Sequence, residues 1–257
     1  MTSYPDAKPV FRGIFLAVAL FVTAALIVCQ TAIARTNSGD SPGRPEAEPK
    51  EEFIGFSPLE QRLIQQGLID VRLLDPSIVV DLKYAKADNF MGIDIYGDLT
   101  RAYLRPEAAW KLARANEILR ERHPNLRILV GDALRPRSVQ QKMWQLVAGT
   151  PMQPYVANPR WGSMHNYGAA VDVTLYDVET EKRLDMGTPL DHFGPLAQPK
   201  LEDRFLKEGK LNREQVENRR TLRSAMKEAG WHPLNIEWWH FNAFSKDYIR
   251  RNYSIIE

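Results

Sequence analysis

The chain has a single cysteine, Cys29, in 257 residues. That excludes an internal disulfide and any zinc cage built on thiolates. It has little net charge, with 34 Lys and Arg against 32 Asp and Glu leaving +2. No basic stripe with interleaved aromatics is present, so no nucleic-acid partner is expected. A glycine-rich phosphate loop and an internal repeat are both missing. Histidine is scarce, at five residues. Any metal would have to be held by His, Asp and Glu, so the places of those five are informative. Against these absences stand 44% apolar and 26% charged residues, enough for a globular core.

Lys8 and Arg12 precede a stretch from Gly13 to Ala34 that carries no charge and ends Ala32-Ile33-Ala34. A basic start, an apolar middle and a small-residue exit describe a secretory signal peptide over 1–34, cleaved after Ala34. An uncleaved membrane anchor over 13–34 is the alternative, because this length also spans a bilayer. Cys29 reads as an apolar filler of that segment. Residues 35–52 are rich in Ser, Gly, Pro and Glu without apolar periodicity, the composition of a flexible linker. The folded domain is therefore expected over 53–257, in an exported, periplasmic or other extracytoplasmic setting.

Within that domain Ser57-Pro-Leu-Glu60 has the capping-box pattern and opens a short helix to about Gln66. Ser77–Tyr84 alternates as a strand, and 87–100, rich in Asp, Asn and Gly, reads as loop. A long amphipathic helix is expected from Arg105 through Arg122, a strand over 126–130, and a second helix over 138–147. A strand over 171–176 and a third helix over 212–229, closed by Gly230, follow, with the last strands around 237–244. Helices interleaved irregularly with short strands point to an α+β fold rather than a doubly wound sheet.

The chemistry gathers in two places. His165 lies in a Gly-Ser-containing turn, and Asp172 interrupts the apolar segment Ala169-Ala-Val-Asp-Val-Thr-Leu175. A bare charge there is costly unless something positive meets it. Ile236-Glu-Trp-Trp-His-Phe241 adds His240 and Glu237. Taken singly, His165 reads as a surface-turn histidine, His240 as a core imidazole and Glu237 as a strand-edge charge. Together, His165, Asp172 and His240 suit one zinc ion per chain with an open coordination position. Glu237 is left as general base in a partly dry setting beside the tryptophans. Arg135, held extended by Pro136, reads either as a loop arginine or as a fixed cation for an oxyanion. Asp132 can orient it, touch substrate, or simply form the turn. His123 is expected at the surface, while His192 and His232 read as candidates for places near the site, with nothing that singles them out as ligands.

These residues carry a resemblance. Ser163-x-His165-x-x-Gly168-x-Ala170-x-Asp172, followed by Glu237-Trp-Trp-His240, resembles the zinc D-alanyl-D-alanine dipeptidases of the vancomycin-resistance type. That family belongs to a wider group with D,D-carboxypeptidases and Hedgehog-like zinc domains. The likeness extends from about Val79 to Phe241 and includes Asp81-Leu-Lys-Tyr-Ala85, Leu134-Arg-Pro136 and Met186-Gly187. It implies an α+β domain with a central antiparallel sheet flanked by helices, zinc on His165, Asp172 and His240, Glu237 as base and Arg135 as transition-state stabiliser. Tyr84, Asp132, Ser163 and Asp191 fall where the dipeptidases contact substrate, Asp191 facing the free ammonium of a D-Ala-D-Ala dipeptide. The chain departs from the pattern at Met164 and over 195–210. The expected activity is dipeptide hydrolysis. The alternatives are a D,D-carboxypeptidase trimming peptidoglycan stems and a non-catalytic zinc module of the cell envelope. Because Glu237 and His240 would face opposite sides of a regular strand, a bend or bulge is expected near Trp238–Trp239.

Overall fold

The structure, a computed structural model, describes residues 55–257. The expected signal or anchor segment (1–34) and linker (35–52) lie outside the described residues. No helix among the described residues is long and apolar enough to cross a membrane.

Ser57 caps helix α1 (Pro58–Gln65) with the full capping box, its hydroxyl accepting from the Glu60 amide while the Glu60 carboxylate accepts from the Ser57 amide. Glu60 is buried and also receives Arg101 at 2.6 Å and the Thr100 hydroxyl at 3.1 Å. This ties the first helix to the loop before β3 (Tyr103–Leu104), which pairs antiparallel with β1 (Ile69–Asp70).

The main sheet runs in the order β2 (Val79–Val80), β4 (Leu126–Asp132), β5 (Ala170–Asp177), β8 (His240–Asn242), β7 (His232–Pro233), and β6 (Lys182–Arg183) pairs with β5. Every pairing is antiparallel except β2 with β4. The helices α2 (Pro106–Arg122) and α5 (Arg213–Glu228) pack on each other, and α2 also packs on β4. Alternation along β5 sends Val171, Val173 and Leu175 into the core that includes Leu112, Ile118 and Leu222. The same alternation turns Asp172 to the opposite face. Helices α3 (Arg137–Val147), α4 (Glu202–Lys207) and α6 (Lys246–Asn252) complete the α+β arrangement.

The strand expected over Ser77–Tyr84 is shorter than its alternation suggested, because the chain turns at Leu82 into a 3-10 turn, Lys83–Ala85. The amides of Ile95 and Tyr96 both bond to the Tyr84 carbonyl, so the chain wraps the following loop instead of extending the sheet, and Tyr84 is buried. Helices α4 and α6 and the pair β1–β3 were not foreseen. α4 falls within the span where the sequence departs from the family pattern.

One irregularity shapes the site. Val130 pairs with Val173, but the next pair along is Asp132 with Asp172, so Gly131 is an extra residue in β4. A bulge of this kind re-aims the side chains beyond it. A Cβ at Gly131 would stand 2.4 Å from Leu190 Cδ1, which explains the glycine. Asp172 is in turn paired with His240. Asp132, Asp172 and His240 therefore sit side by side on three neighbouring strands.

Candidate active site

His165 reaches the sheet from a 3-10 turn, Met164–Tyr167, capped by Ser163 and Asn166 and closed by Gly168 at φ +67°. A Cβ at Gly168 would lie 2.9 Å from Leu68 Cδ2 and 3.3 Å from the Arg105 amide, so glycine is required twice over. This turn is stitched to the loop after β4. The Arg135 amide donates to the His165 carbonyl at 3.1 Å, and the Asn166 side chain donates to the Arg135 carbonyl at 2.7 Å. His165 and Arg135 thus come from distant segments but share one support.

Asp172 and His240 stand opposite each other across β5 and β8. His165 Nε2 lies 3.2 Å from His240 Nδ1 and 3.4 Å from Asp172 Oδ1, and His240 Nδ1 lies 3.0 Å from Asp172 Oδ1. The other nitrogen of each ring is occupied: His165 Nδ1–H donates to the Ala133 carbonyl at 2.7 Å, and His240 Nε2–H donates to Asn242 Oδ1 at 3.0 Å. Both neutral rings thereby turn a lone pair toward the same carboxylate oxygen. Four-coordinate zinc with ligands near 2.0–2.1 Å would separate neighbouring ligand atoms by about 3.3–3.4 Å. The triangle seen here meets that spacing to within a few tenths of an ångström. The secured outer nitrogens are what a metal-binding histidine pair needs to keep its tautomer. The three residues fit a zinc ion.

The electrostatics agree. Burial opposes the charge on Asp172, but His165 and His240 outweigh it and hold the carboxyl well below the usual carboxylate range. Burial likewise opposes protonation of His240, and the hydrogen bond and charge of Asp172 reverse this and raise it. In both cases the site favours a positive charge beside Asp172, whether proton or metal.

Glu237 lies one bend before β8. The chain bends at Trp238–Trp239, as the three-residue spacing to His240 required, and no register shift interrupts the pairing of β5 with β8. Trp238 fixes the bend, its indole donating to the Thr188 hydroxyl at 2.8 Å and its amide to the Ala197 carbonyl at 3.1 Å. Glu237 Oε2 then lies 3.9 Å from His240 Nδ1, the ring atom of the triangle. Burial raises the Glu237 carboxyl, His240 works against this, and Asp172 adds to the rise.

Arg135 is buried, with its guanidinium 4.9 Å over the Tyr84 ring. It is held by Asp132 and by Gln140 at 3.0 Å, while Nε has no hydrogen-bond partner among the described residues. Burial disfavours its charge, but Asp132 more than restores it, so the side chain stays cationic. Asp132 receives Arg135, the Tyr96 hydroxyl and the Ala133 amide, and it does not line the cavity. Of the roles read from the sequence, its contacts match the orienting one.

The triangle opens on a cavity of about 230 Å³ lined also by Tyr84, Arg135, Ser163, Asp191 and Glu237. That is below the ~300–1,000 Å³ of pockets for drug-sized ligands, so the cavity suits a small substrate. Phe90, Tyr155 and Phe193, from three separate loops, meet along its wall, with ring centroids 4.7 Å apart for Tyr155–Phe193 and 5.1 Å for Phe90–Phe193. Asp191 adopts φ +61°, rare for a non-glycine residue, and its Oδ2 is buried without a partner among the described residues. Burial first, then the charge of Asp172, push its carboxyl up to about 7. His232 is exposed on β7 and His123 follows α2, so neither belongs to the site. The sequence reading missed Asn242 and Tyr96. Asn242 was legible as the residue two places after His240 on one strand face; Tyr96, in a remote loop, had no local signal.

Comparison with known proteins gives a consistent result. A family described as D-ala-D-ala dipeptidase matches residues 64–256. The D-alanyl-D-alanine dipeptidase of Escherichia coli (strain K12) is 32% identical over 181 residues, covering 68% of this chain and 83% of that protein. That of Enterococcus faecium is 29% identical over 180 residues, with 63% and 83% covered. That of Enterococcus faecalis (strain ATCC 700802 / V583) is 25% identical over 186 residues, with 65% and 87% covered.

Proposed function

The chain belongs to the D-Ala-D-Ala dipeptidase family and is a metallopeptidase, and from that premise we propose that it cleaves the D-alanyl-D-alanine dipeptide with zinc held by His165, Asp172 and His240. Zinc bound there would supply a Lewis acid for the scissile carbonyl and lower the pKa of a water molecule. Glu237 takes one proton from the attacking water as its oxygen bonds to the carbonyl carbon. It returns the proton to the amide nitrogen as the C–N bond breaks, releasing two alanines. A raised carboxyl suits this exchange, since the base must also serve as acid. Arg135, its charge fixed by Asp132 and its Nε–H free, donates to the oxyanion. Asp191 receives the substrate ammonium against Tyr84, and Ser163, which lines the same cavity, contacts the peptide.

The observation that carries this reading is the triangle of three ligand atoms 3.0–3.4 Å apart with a raised carboxylate 3.9 Å from one corner. The buried Asp191 carboxylate, whose Oδ2 has no partner among the described residues, supports a free dipeptide over a stem peptide, because a peptide lengthened at its amino end offers no ammonium there. The apolar Gly13–Ala34 segment supports an extracytoplasmic setting for the domain. The test is hydrolysis of D-Ala-D-Ala and of a stem pentapeptide, each with and without chelator. Chelator-sensitive cleavage of the dipeptide with the pentapeptide untouched is expected. Release of the terminal D-Ala from the pentapeptide would make the enzyme a carboxypeptidase, and no hydrolysis of either would leave a binding module.

A further inference from the structure

A dipeptide zwitterion carries a carboxylate as well as an ammonium, and the groups discussed so far leave that carboxylate without a cation. Arg135 is taken up by Asp132 and Gln140. Two other cations line the cavity, Lys246 and Arg250. Both are on α6, four residues apart and so on one face of the helix. Both are exposed, and among the described residues neither side chain has an ion-pair or hydrogen-bond partner. Their helix is nevertheless well anchored. Ser245 caps it, Ile249 is buried with Met164 and Tyr167 of the His165 turn, and Tyr248 stacks on Phe244 at 5.1 Å. The backbone positions of the two cations are therefore fixed relative to His165.

The cations and the acid that would meet the ammonium come from different segments. In the order β2–β4–β5–β8, Tyr84 follows β2, Arg135 follows β4, Asp172 lies on β5, His240 lies on β8, and α6 follows β8. Asp191 is hydrogen-bonded with Tyr84, at the β2 end of this series. Asp191 with Tyr84, and Lys246 with Arg250, thus reach the cavity of the metal ligands from separate segments. We propose that Lys246 and Arg250 bind the C-terminal carboxylate of the substrate, so that the cavity selects a peptide with a free carboxylate and orients it with the ammonium at Asp191. This rests on the dipeptidase reading above. An exposed cation otherwise gains little from being left unpaired at the rim of a site. Here the two act as a pair of long side chains that meet the substrate without being desolvated beforehand.

The test compares D-Ala-D-Ala with its C-terminal amide on the metal-loaded full chain and on the double variant Lys246→Ala/Arg250→Ala. The wild type should favour the acid. In the variant the KM for the acid should rise about five- to ten-fold, the combined effect of two exposed ion pairs, with kcat changed less than about two-fold. The KM for the amide should not move, so that the preference collapses. Added salt should weaken wild-type binding of the acid and leave the variant insensitive. The charge-keeping swap Lys246→Arg/Arg250→Lys should retain the preference. Equal losses on acid and amide, or an unchanged KM for the acid in a variant that still turns over, would overturn the assignment. A wild type that cleaves neither peptide would instead bring down the dipeptidase reading itself.

Discussion

Asp191 offers the most quantitative check on the cavity. Its carboxyl is pushed from 3.8 to about 7, burial being the larger cause and the charge of Asp172 the next. Between those values the folded chain keeps a proton that the unfolded chain has released, so stability falls as pH rises from about 4 to about 7 and levels off above. At ~1.36 kcal/mol per pH unit the ceiling is about 4 kcal/mol. Two things reduce it: metal binding cancels much of the Asp172 contribution, and solvent reaches part of the Asp191 residue. We expect about 1–2 kcal/mol. Asp191→Asn keeps the shape and removes the charge. At pH 4 the variant should melt with the wild type, and at pH 8 it should be more stable, with a Tm roughly 2–6 °C higher. The wild-type slope should be steeper in chelated protein than in metal-loaded protein. The same substitution removes the ammonium partner, so kcat/KM at pH 8 should drop about 10- to 100-fold, chiefly through KM. Calorimetry across pH 4–9 and steady-state rates measure both. Melting curves for variant and wild type that run parallel across pH would refute the account of a strained acid held for a substrate amine.

Three further outcomes follow from named contacts. Glu237→Gln should bind metal stoichiometrically and lose turnover by about 10²–10⁴, the range for a lost general base; near-native turnover would remove Glu237 from the mechanism. Asp172→Ala takes one corner from the triangle and should leave the protein metal-poor after dialysis, whereas retained stoichiometric zinc would show that Asp172 is not a ligand. Arg219 is fully buried and donates to the carbonyls of Met186 at 2.7 Å and Leu196 at 3.1 Å beneath Trp238. Arg219→Met orphans those carbonyls and should cost about 2–4 kcal/mol in urea unfolding, and an unchanged midpoint would argue that water replaces the guanidinium at no cost.

The elements most legible in the sequence were those whose cause is local. The capping box at Ser57 acts within one helical turn and forms as expected, and α2 and α5 form close to the spans expected for them, one with a proline in its first turn and the other capped by Asn212. The strand that came out short, Ser77–Tyr84, was decided by bonds from Ile95 and Tyr96 that no local pattern announces. α4 was missed for a similar reason. It is six residues long, and its buried Glu202 is held by Arg223 at 2.7 Å and lies 3.7 Å from Arg219 on another helix, so the reason for its burial lies outside its own sequence.

The site divides along the same line. Asp172 is conspicuous because a carboxylate in a run of Val and Ala has to be met by a positive charge, and that demand points outward to His165 and His240. Orientation was less legible. Asp132 shares a face with Asp172 only because Gly131 adds a residue to β4, and a glycine ending a strand pattern admits a turn as readily as a bulge. Once the bulge is granted, much of the rest is constrained. Asp132 is carried to the Arg135 guanidinium, Arg135 is laid over Tyr84, and the carbonyl of the next residue, Ala133, is presented to His165 Nδ1. One inserted glycine thus sets both the tautomer of a candidate metal ligand and the direction of the cation beside it. A substitution that straightened β4 should therefore disturb metal affinity and oxyanion stabilisation together, although Gly131 touches neither.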